Sequence, residues 1–227
     1  MKSTSSRFRS PPSAAESLIG FVDNALRTLS PKANLAARPS PAAAVQAGPA
    51  AAEDAQLSQP AIKRSAALMR VNHSGEVAAQ GLYQGQQLTA KSARVKEAMI
   101  ESAKEEVDHL VWCEQRLEEL GGRTSLLNPL WYAGSFVLGA VAGLASDKVS
   151  LGFVSETEKQ VEGHLKHHLE TLPPEDARSR RIVKQMMIDE AEHGRHARSL
   201  GGTDLPQPVQ NIMKVVAKIM TSTSHHI

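Results

Sequence analysis

One cysteine, Cys113, in 227 residues excludes an intramolecular disulfide framework and fits a reducing compartment. Aromatic side chains are scarce, at 4%. A formal net charge of +2 gives no basic footprint of the kind nucleic acid requires, so no nucleic-acid partner is expected. No stretch alternates apolar and polar residues long enough to read as a strand, which argues against any sheet-based fold. The early apolar run Leu18-Ile19-Gly20-Phe21-Val22 is broken by Asp23 and is too short for a secretory signal. What remains is ordinary: 41% hydrophobic and 22% charged residues suit a soluble globular chain of one domain with an appendage.

The composition changes near residue 60. Seven of the twelve prolines lie in the first sixty residues, and 42–55 is dominated by alanine with glycine and proline. Such a segment lacks the large apolar side chains that build a core and reads as a linker. Within it, 17–29 carries Leu18, Val22, Ala25, Leu26 and Leu29 at helical spacing, an amphipathic helix suited to dock on the body of the protein or on a membrane. The expected division is an N-terminal extension over 1–59 and one helical domain over 60–227.

From Ile62 onward the period is helical. Val95, Met99, Ser102, Glu106, His109, Cys113, Leu117 and Leu120 form one stripe, ended by Gly121-Gly122. Ile182, Met186, Glu190, His193, Ala197 and Leu200 repeat it, ended by Gly201-Gly202. Each stripe contains Glu-x-x-His: Glu106 with His109, and Glu190 with His193. Residues i and i+3 share a helix face, so each pair aims a carboxylate and an imidazole into one space.

Each motif has a glutamate about one helical hairpin upstream. Glu76 precedes Glu106 by 30 residues (106 − 76), and Glu162 precedes Glu190 by 28 (190 − 162). Antiparallel helices joined by a short turn return to the same depth after roughly 30 residues when each arm runs about 20 Å. The turns stand at Lys91-Ser92 and Pro173-Pro174. Four glutamates and two histidines on inner faces would repel one another and resist burial unless cations joined them. Four carboxylates balance two ferrous ions, and mixed carboxylate and imidazole donors suit iron or manganese. A structural zinc site would favour thiolates. This is the ligand pattern of a ferritin-like four-helix bundle. His164, His167 and His168 lie near Glu162, suited to roles around the metal or substrate, with ordinary surface positions the alternative for His164 and His167. Glu105 and His196 read as exposed surface residues, and His225 and His226 as a flexible C-terminus.

Two hairpins in one bundle need a long crossover. Residues 126–145 are uncharged and include Trp131 and Tyr132. Twenty residues could just span a bilayer, but Asn128 and Pro129 interrupt the start and both ends return to one bundle. A crossover helix packed on the bundle and dipping into one leaflet fits better, with a wholly buried helix as the alternative. A second amphipathic segment follows: Val209, Ile212, Met213, Val216, Ile219 and Met220 on one face, Lys214 and Lys218 on the other.

The blocks Arg70-Val71-Asn72-His73-Ser74-Gly75-Glu76, Glu106-Val107-Asp108-His109-Leu110 and Asp189-Glu190-Ala191-Glu192-His193 resemble the signatures of the di-iron demethoxyubiquinone hydroxylase family of ubiquinone biosynthesis. The likeness continues through Leu127-Asn128-Pro129-Leu130-Trp131, through Ser150-Leu151-Gly152-Phe153-Val154 and on to Val161-Glu162. It covers about 62–227, and Ala25-Leu26-Arg27-Thr28-Leu29 fits the proteobacterial branch.

The resemblance implies an all-α fold with iron ligands at Glu76, Glu106, His109, Glu162, Glu190 and His193, Glu106 and Glu190 bridging. It also implies two ferrous ions, O2 as co-substrate, and hydroxylation of a polyprenylated demethoxyubiquinol ring at an unsubstituted carbon. The family's His-Tyr pair after the third helical glutamate corresponds to His168-Leu169, so its phenol is missing. A polyprenyl tail implies peripheral attachment, at the cytoplasmic face of the cell inner membrane, and an apolar route to the metal along 126–145. Other ubiquinone-biosynthesis proteins or a second copy of the chain stand as partners. Two other functions fit the ligand pattern: an iron-storing or peroxide-removing ferritin- or rubrerythrin-like protein, and a non-enzymatic quinone-binding membrane scaffold. The first needs no apolar crossover, and a rubrerythrin would add a cysteine-rich module that a single cysteine cannot make.

Overall fold

The structure, a computed structural model, describes residues 14–30, 32–45 and 57–227; most of the expected alanine- and proline-rich linker lies outside them. Among the described residues there are seven α-helices and no strand. They are α1 (Ala14–Leu29), α2 (Gln59–Thr89), α3 (Ala93–Glu119), α4 (Asn128–Ala145), α5 (Asp147–Thr171), α6 (Ala177–Ser199) and α7 (Gln207–His226).

The helix boundaries follow from capping chemistry. Ser58, Ser92, Ser146 and Asp176 each cap a helix, their side-chain oxygens accepting a backbone N–H three residues on; such caps satisfy donors that a helix start leaves free. At the end of α3, Gly122 N donates to Leu117 O and Gly121 N to Glu118 O; at the end of α6, Gly202 N donates to Ala197 O and Gly201 N to Arg198 O. Gly121 and Gly201 have φ of 65° and 104°, the left-handed turn that this termination needs and glycine tolerates. The two Glu-x-x-His helices therefore stop by the same device.

Helices α2 and α3 form one antiparallel hairpin and α5 and α6 the other. Asp147, at the start of α5, accepts from the backbone of Lys91 and Ser92 and pins the first hairpin's turn to the second. The crossover α4 packs closely along α2. A Cβ at Gly81 would meet the Tyr132 carbonyl, one at Gly85 the Phe136 carbonyl, and one at Gly139 the Leu82 carbonyl. These glycines let two backbones approach to a distance that larger residues would forbid.

The apolar interior has two main parts. One contains Met69, Cys113, Leu117, Leu165, Ile182, Val183 and Met186; the other contains Tyr83, Met99, Leu151, Val154 and Ala197. The extension is more engaged than its composition suggests. On α1, Ala25 and Leu29 pack near Val77, Leu110 and Tyr132, while Ile19, Val22 and Leu26 stay exposed. Residues 32–45 form a strap across α3 and α6 that ends in a short 3₁₀ turn, Pro41–Val45. Ala42, expected within a linker, is buried at 3% exposure in the first apolar cluster.

The C-terminus also departs from expectation. Helix α7 runs to His226, and the His225 carbonyl accepts from Arg70 Nη1 at 3.0 Å, so this end is tied down. Trp131 Nε1 donates to Ser224 Oγ at 3.1 Å, joining α4 to α7. Among the described residues, no helix is long and apolar enough to cross a membrane.

Candidate metal centre

Between the two apolar clusters lies a buried polar layer. Glu76, Glu106, His109 and Glu190 offer donor atoms all within 4.8 Å of one another. His193 joins them: its Nδ1 lies 2.9 Å from Glu106 Oε1 and 3.3 Å from Glu190 Oε2. His109 Nδ1 lies 2.9 Å from Glu106 Oε2 and 3.3 Å from Glu190 Oε1. Glu106 and Glu190 thus turn one oxygen toward each histidine, the placement that two bridging carboxylates need. Glu76 Oε2 is 3.7 Å from His109 Nδ1 and stands on that side.

Five of the six expected ligands therefore meet, and Glu162 does not. It is exposed on α5, while Glu158, one turn earlier, is buried at 2% exposure and feels the charges of Glu106, Glu190 and His193. Hairpin spacing is good only to about one turn, so Glu158 and Glu162 satisfied it equally. A finer sequence signal separates them. Residues seven before and seven after Glu76 are Met69 and Tyr83; around Glu106, Met99 and Cys113; around Glu190, Val183 and Ala197; around Glu158, Leu151 and Leu165. In every case one belongs to each apolar cluster, because seven residues are nearly two helical turns. Glu162 has Ser155 and Leu169 in those places.

Three further residues were missed as parts of the site. Tyr83 donates its hydroxyl to Glu158 Oε1 at 2.6 Å. Asp189 Oδ2 lies 2.9 Å from His109 Nε2. Glu105, expected to be a plain surface charge, is 56% exposed yet reaches His193 Nε2 at 2.7 Å. Both imidazoles are thus held by a carboxylate on Nε2, leaving Nδ1 facing the cluster, as carboxylate–histidine–metal arrangements require. His168 is buried and its Nδ1 contacts Asn72 Oδ1 at 2.7 Å; burial lowers its pKa to about 3.

The electrostatics express the same crowding. Burial, reinforced by the charges of its carboxylate neighbours, raises Glu76 and Glu158 well above the carboxylate range. Burial also opposes charge on the histidines, but the surrounding carboxylates outweigh it: His109 rises well above the imidazole range and His193 to about 12. Glu106 is pulled below the carboxylate range by both histidines despite its burial. The cluster demands positive charge, which protons or divalent cations can supply. Among the described residues, Glu76 Oε2 is buried and accepts no hydrogen bond, its nearest imidazole nitrogen lying 3.7 Å away, a costly condition that a cation removes. The donor set fits a metal centre.

An apolar cavity of about 270 Å³ reaches this layer, with Glu76, Glu158 and Glu190 on its wall. Leu82, Leu138, Phe153, Ile212, Met213 and Val216 line the remainder, from α2, α4, α5 and α7.

The model of the family described as "Ubiquinone biosynthesis protein COQ7" matches residues 63–224. A protein of Polynucleobacter necessarius subsp. necessarius (strain STIR1) is 54% identical over 217 residues, covering 95% of this chain and 100% of that protein. One of Pseudomonas fluorescens (strain Pf0-1) is 53% identical over 224 residues, covering 99% and 100%. One of Ralstonia pickettii (strain 12J) is 53% identical over 209 residues, covering 90% and 96%. All three bear the name 3-demethoxyubiquinol 3-hydroxylase. With most of its length matched by the family model and nearly all of it by these relatives, the chain belongs to the ubiquinone biosynthesis protein COQ7 family.

Proposed function

We propose that this chain is a di-iron monooxygenase that hydroxylates the ring of a polyprenylated 3-demethoxyubiquinol. The observation that carries this reading is the apolar cavity ending on Glu76, Glu158 and Glu190. A storage or peroxide-removing protein has no need of such a passage, and a scaffold has no need of a carboxylate–histidine cluster at its end. Two bound iron ions would supply O2 activation.

The protein's part is to hold and shield. Glu76 and His109 would serve one ion and Glu158 and His193 the other, with Glu106 and Glu190 between them. Asp189 and Glu105 fix the imidazole rings. Tyr83 holds Glu158 through its hydroxyl proton. The apolar walls from α4, α5 and α7 would receive an apolar ring, and the seated ring would keep water from the cluster, which strengthens charge interactions inside.

The tail of such a substrate stays in a bilayer, and we assign the approach to α4 and α7. Val137, Leu138, Val141 and Leu144 on α4, and Ile212, Val215, Val216 and Ile219 on α7, are exposed, with Lys214 and Lys218 beside them on α7. Apolar side chains bordered by lysines suit peripheral attachment to an anionic surface, here the cytoplasmic face of the inner membrane.

The test is anaerobic loading with ferrous iron, then O2, a chemical reductant and a short-tailed demethoxyquinol, with mass spectrometry of the product. The reading requires about two irons per chain and a mass gain of one oxygen taken from labelled O2. Iron uptake without that product would leave only a metal-binding protein.

A further inference from the structure

His109 and His193 are held differently. Glu105, the carboxylate on His193, is 56% exposed, whereas the side chain of Asp189, the carboxylate on His109, is 9% exposed. Asp189 is also clamped from the strap that precedes the bundle. Arg38 Nη2 lies 2.9 Å from Asp189 Oδ2, the oxygen that meets His109 Nε2. Gln185 Nε2 donates to the other oxygen at 2.8 Å. Arg38 is itself fixed on three sides. Its Nε donates to Asp108 Oδ2 at 2.7 Å. Its guanidinium carbon lies 4.9 Å from the centre of the Trp112 ring. Its carbonyl accepts from Trp112 Nε1 at 3.3 Å. The backbone N–H of Ala37 donates to Asp108 Oδ1 at 2.6 Å, and Lys32 Nζ pairs with Glu118 at 2.8 Å.

We propose that Arg38 is a positioning residue for the metal centre: by clamping Asp189 it fixes the His109 ring toward the cluster, and it makes the strap a working part of the site. The physical reason is geometric. A partner on the second nitrogen of a metal-binding imidazole fixes the ring's orientation and tautomer and raises its basicity, and a carboxylate does this best when it is itself held in place. Gln185 alone leaves Asp189 free to turn about that bond; Arg38 adds the second anchor and fixes its charge. Arg38 lies outside the residues that the family model matches. Among the described residues, only one of the two imidazoles has this brace, so its loss should affect the two ions unequally.

The inference rests on the metal-centre reading above, and Co²⁺ titration of the full chain, stripped of metal, separates the two. Wild-type protein should bind two Co²⁺ in steps, each visible in the d–d absorption bands. Arg38→Ala should weaken one step about tenfold or more and change the band shape, leaving the other step close to wild type. Arg38→Lys, which keeps the charge and loses the fork, should recover part of the loss. Arg27→Ala, which breaks an exposed ion pair with Asp23 on α1 outside the strap, should change neither step. Arg38→Gln keeps the length of the side chain and carries the same comparison should the alanine variant not fold. Unchanged affinities and bands in the Arg38 variants, with or without a lower melting temperature, would overturn the proposal and leave Arg38 as a tether. Equal weakening of both steps would overturn it as well. Absence of Co²⁺ binding by the wild-type chain would instead defeat the metal-centre reading.

Discussion

Replacing Glu158 or Glu162 by glutamine separates two otherwise similar residues, one turn apart on α5. Glu158 is 2% exposed, bonded to Tyr83 and close to the other carboxylates; Glu162 faces solvent. Loss of a direct ligand should cost at least the upper end of what a supporting residue costs, about 100-fold in affinity, or about 2.7 kcal/mol. Metal bound only to the folded state stabilises in proportion to the logarithm of its affinity. At about 2–4 °C per kcal/mol for a chain of this size, metal-loaded Glu158→Gln should melt roughly 5–11 °C below loaded wild type. In stripped protein the sign reverses, because the variant removes one buried carboxylate from a crowded set. Glu162→Gln should stay within about 0.5 kcal/mol of wild type in both states. Thermal melts of stripped and reloaded protein, with metal counted per chain, decide the matter. Full metal content in Glu158→Gln beside a loss in Glu162→Gln would refute the site as drawn here.

Other perturbations test the frame around the site. Gly85→Val would drive a side chain into the Phe136 carbonyl and should cost about 1–3 kcal/mol by forcing α2 and α4 apart; an unchanged urea midpoint would show that the two helices need not be so close. His73 and His168 are buried and neutral, with pKa values lowered to about 4 and about 3. The unfolded chain therefore binds more protons below the usual value of about 6.5, and stability present above that pH should be lost as the pH falls toward 4 and then 3. For His73 the effect approaches about 3 kcal/mol; His168→Gln should flatten the acid limb of the stability curve, and a limb parallel to wild type would count against it. Leu138 lines the apolar cavity and Val137 does not. Leu138→Asp should raise KM for long-tailed quinols more than for tail-free ones, whereas Val137→Asp should chiefly weaken binding to anionic vesicles; equal losses on both substrates, with fold and metal intact, would rule out a guiding role.

What could be read from the chain is what repeats locally. Glu106 with His109 and Glu190 with His193 are three residues apart, and the Gly121-Gly122 and Gly201-Gly202 stops follow from the same helical period; all stand in the structure where that period puts them. Glu158 was within reach but needed a finer rule. Pairing helices by length locates a partner only to within a turn, whereas the requirement that an apolar residue lie seven positions to either side reflects how a polar layer is sealed above and below. Tyr83 lies seven residues after Glu76 on the same helix, but its bond to Glu158 joins positions 75 apart, and no periodicity reports that.

The strap is the extreme case. Arg38 meets Asp108 and Asp189 because a proline-rich segment crosses two helices that converge only after the bundle has formed. Composition describes how such a segment behaves alone and says nothing of a surface that folding has yet to make. Asp108 shows the same limit from inside a motif. It sits between Glu106 and His109, yet its carboxylate binds the backbone of Ala37 and the Arg38 guanidinium. The face turned away from the metal in one recognisable block is therefore the face that receives the strap, and a reading confined to the ligands would treat it as plain surface.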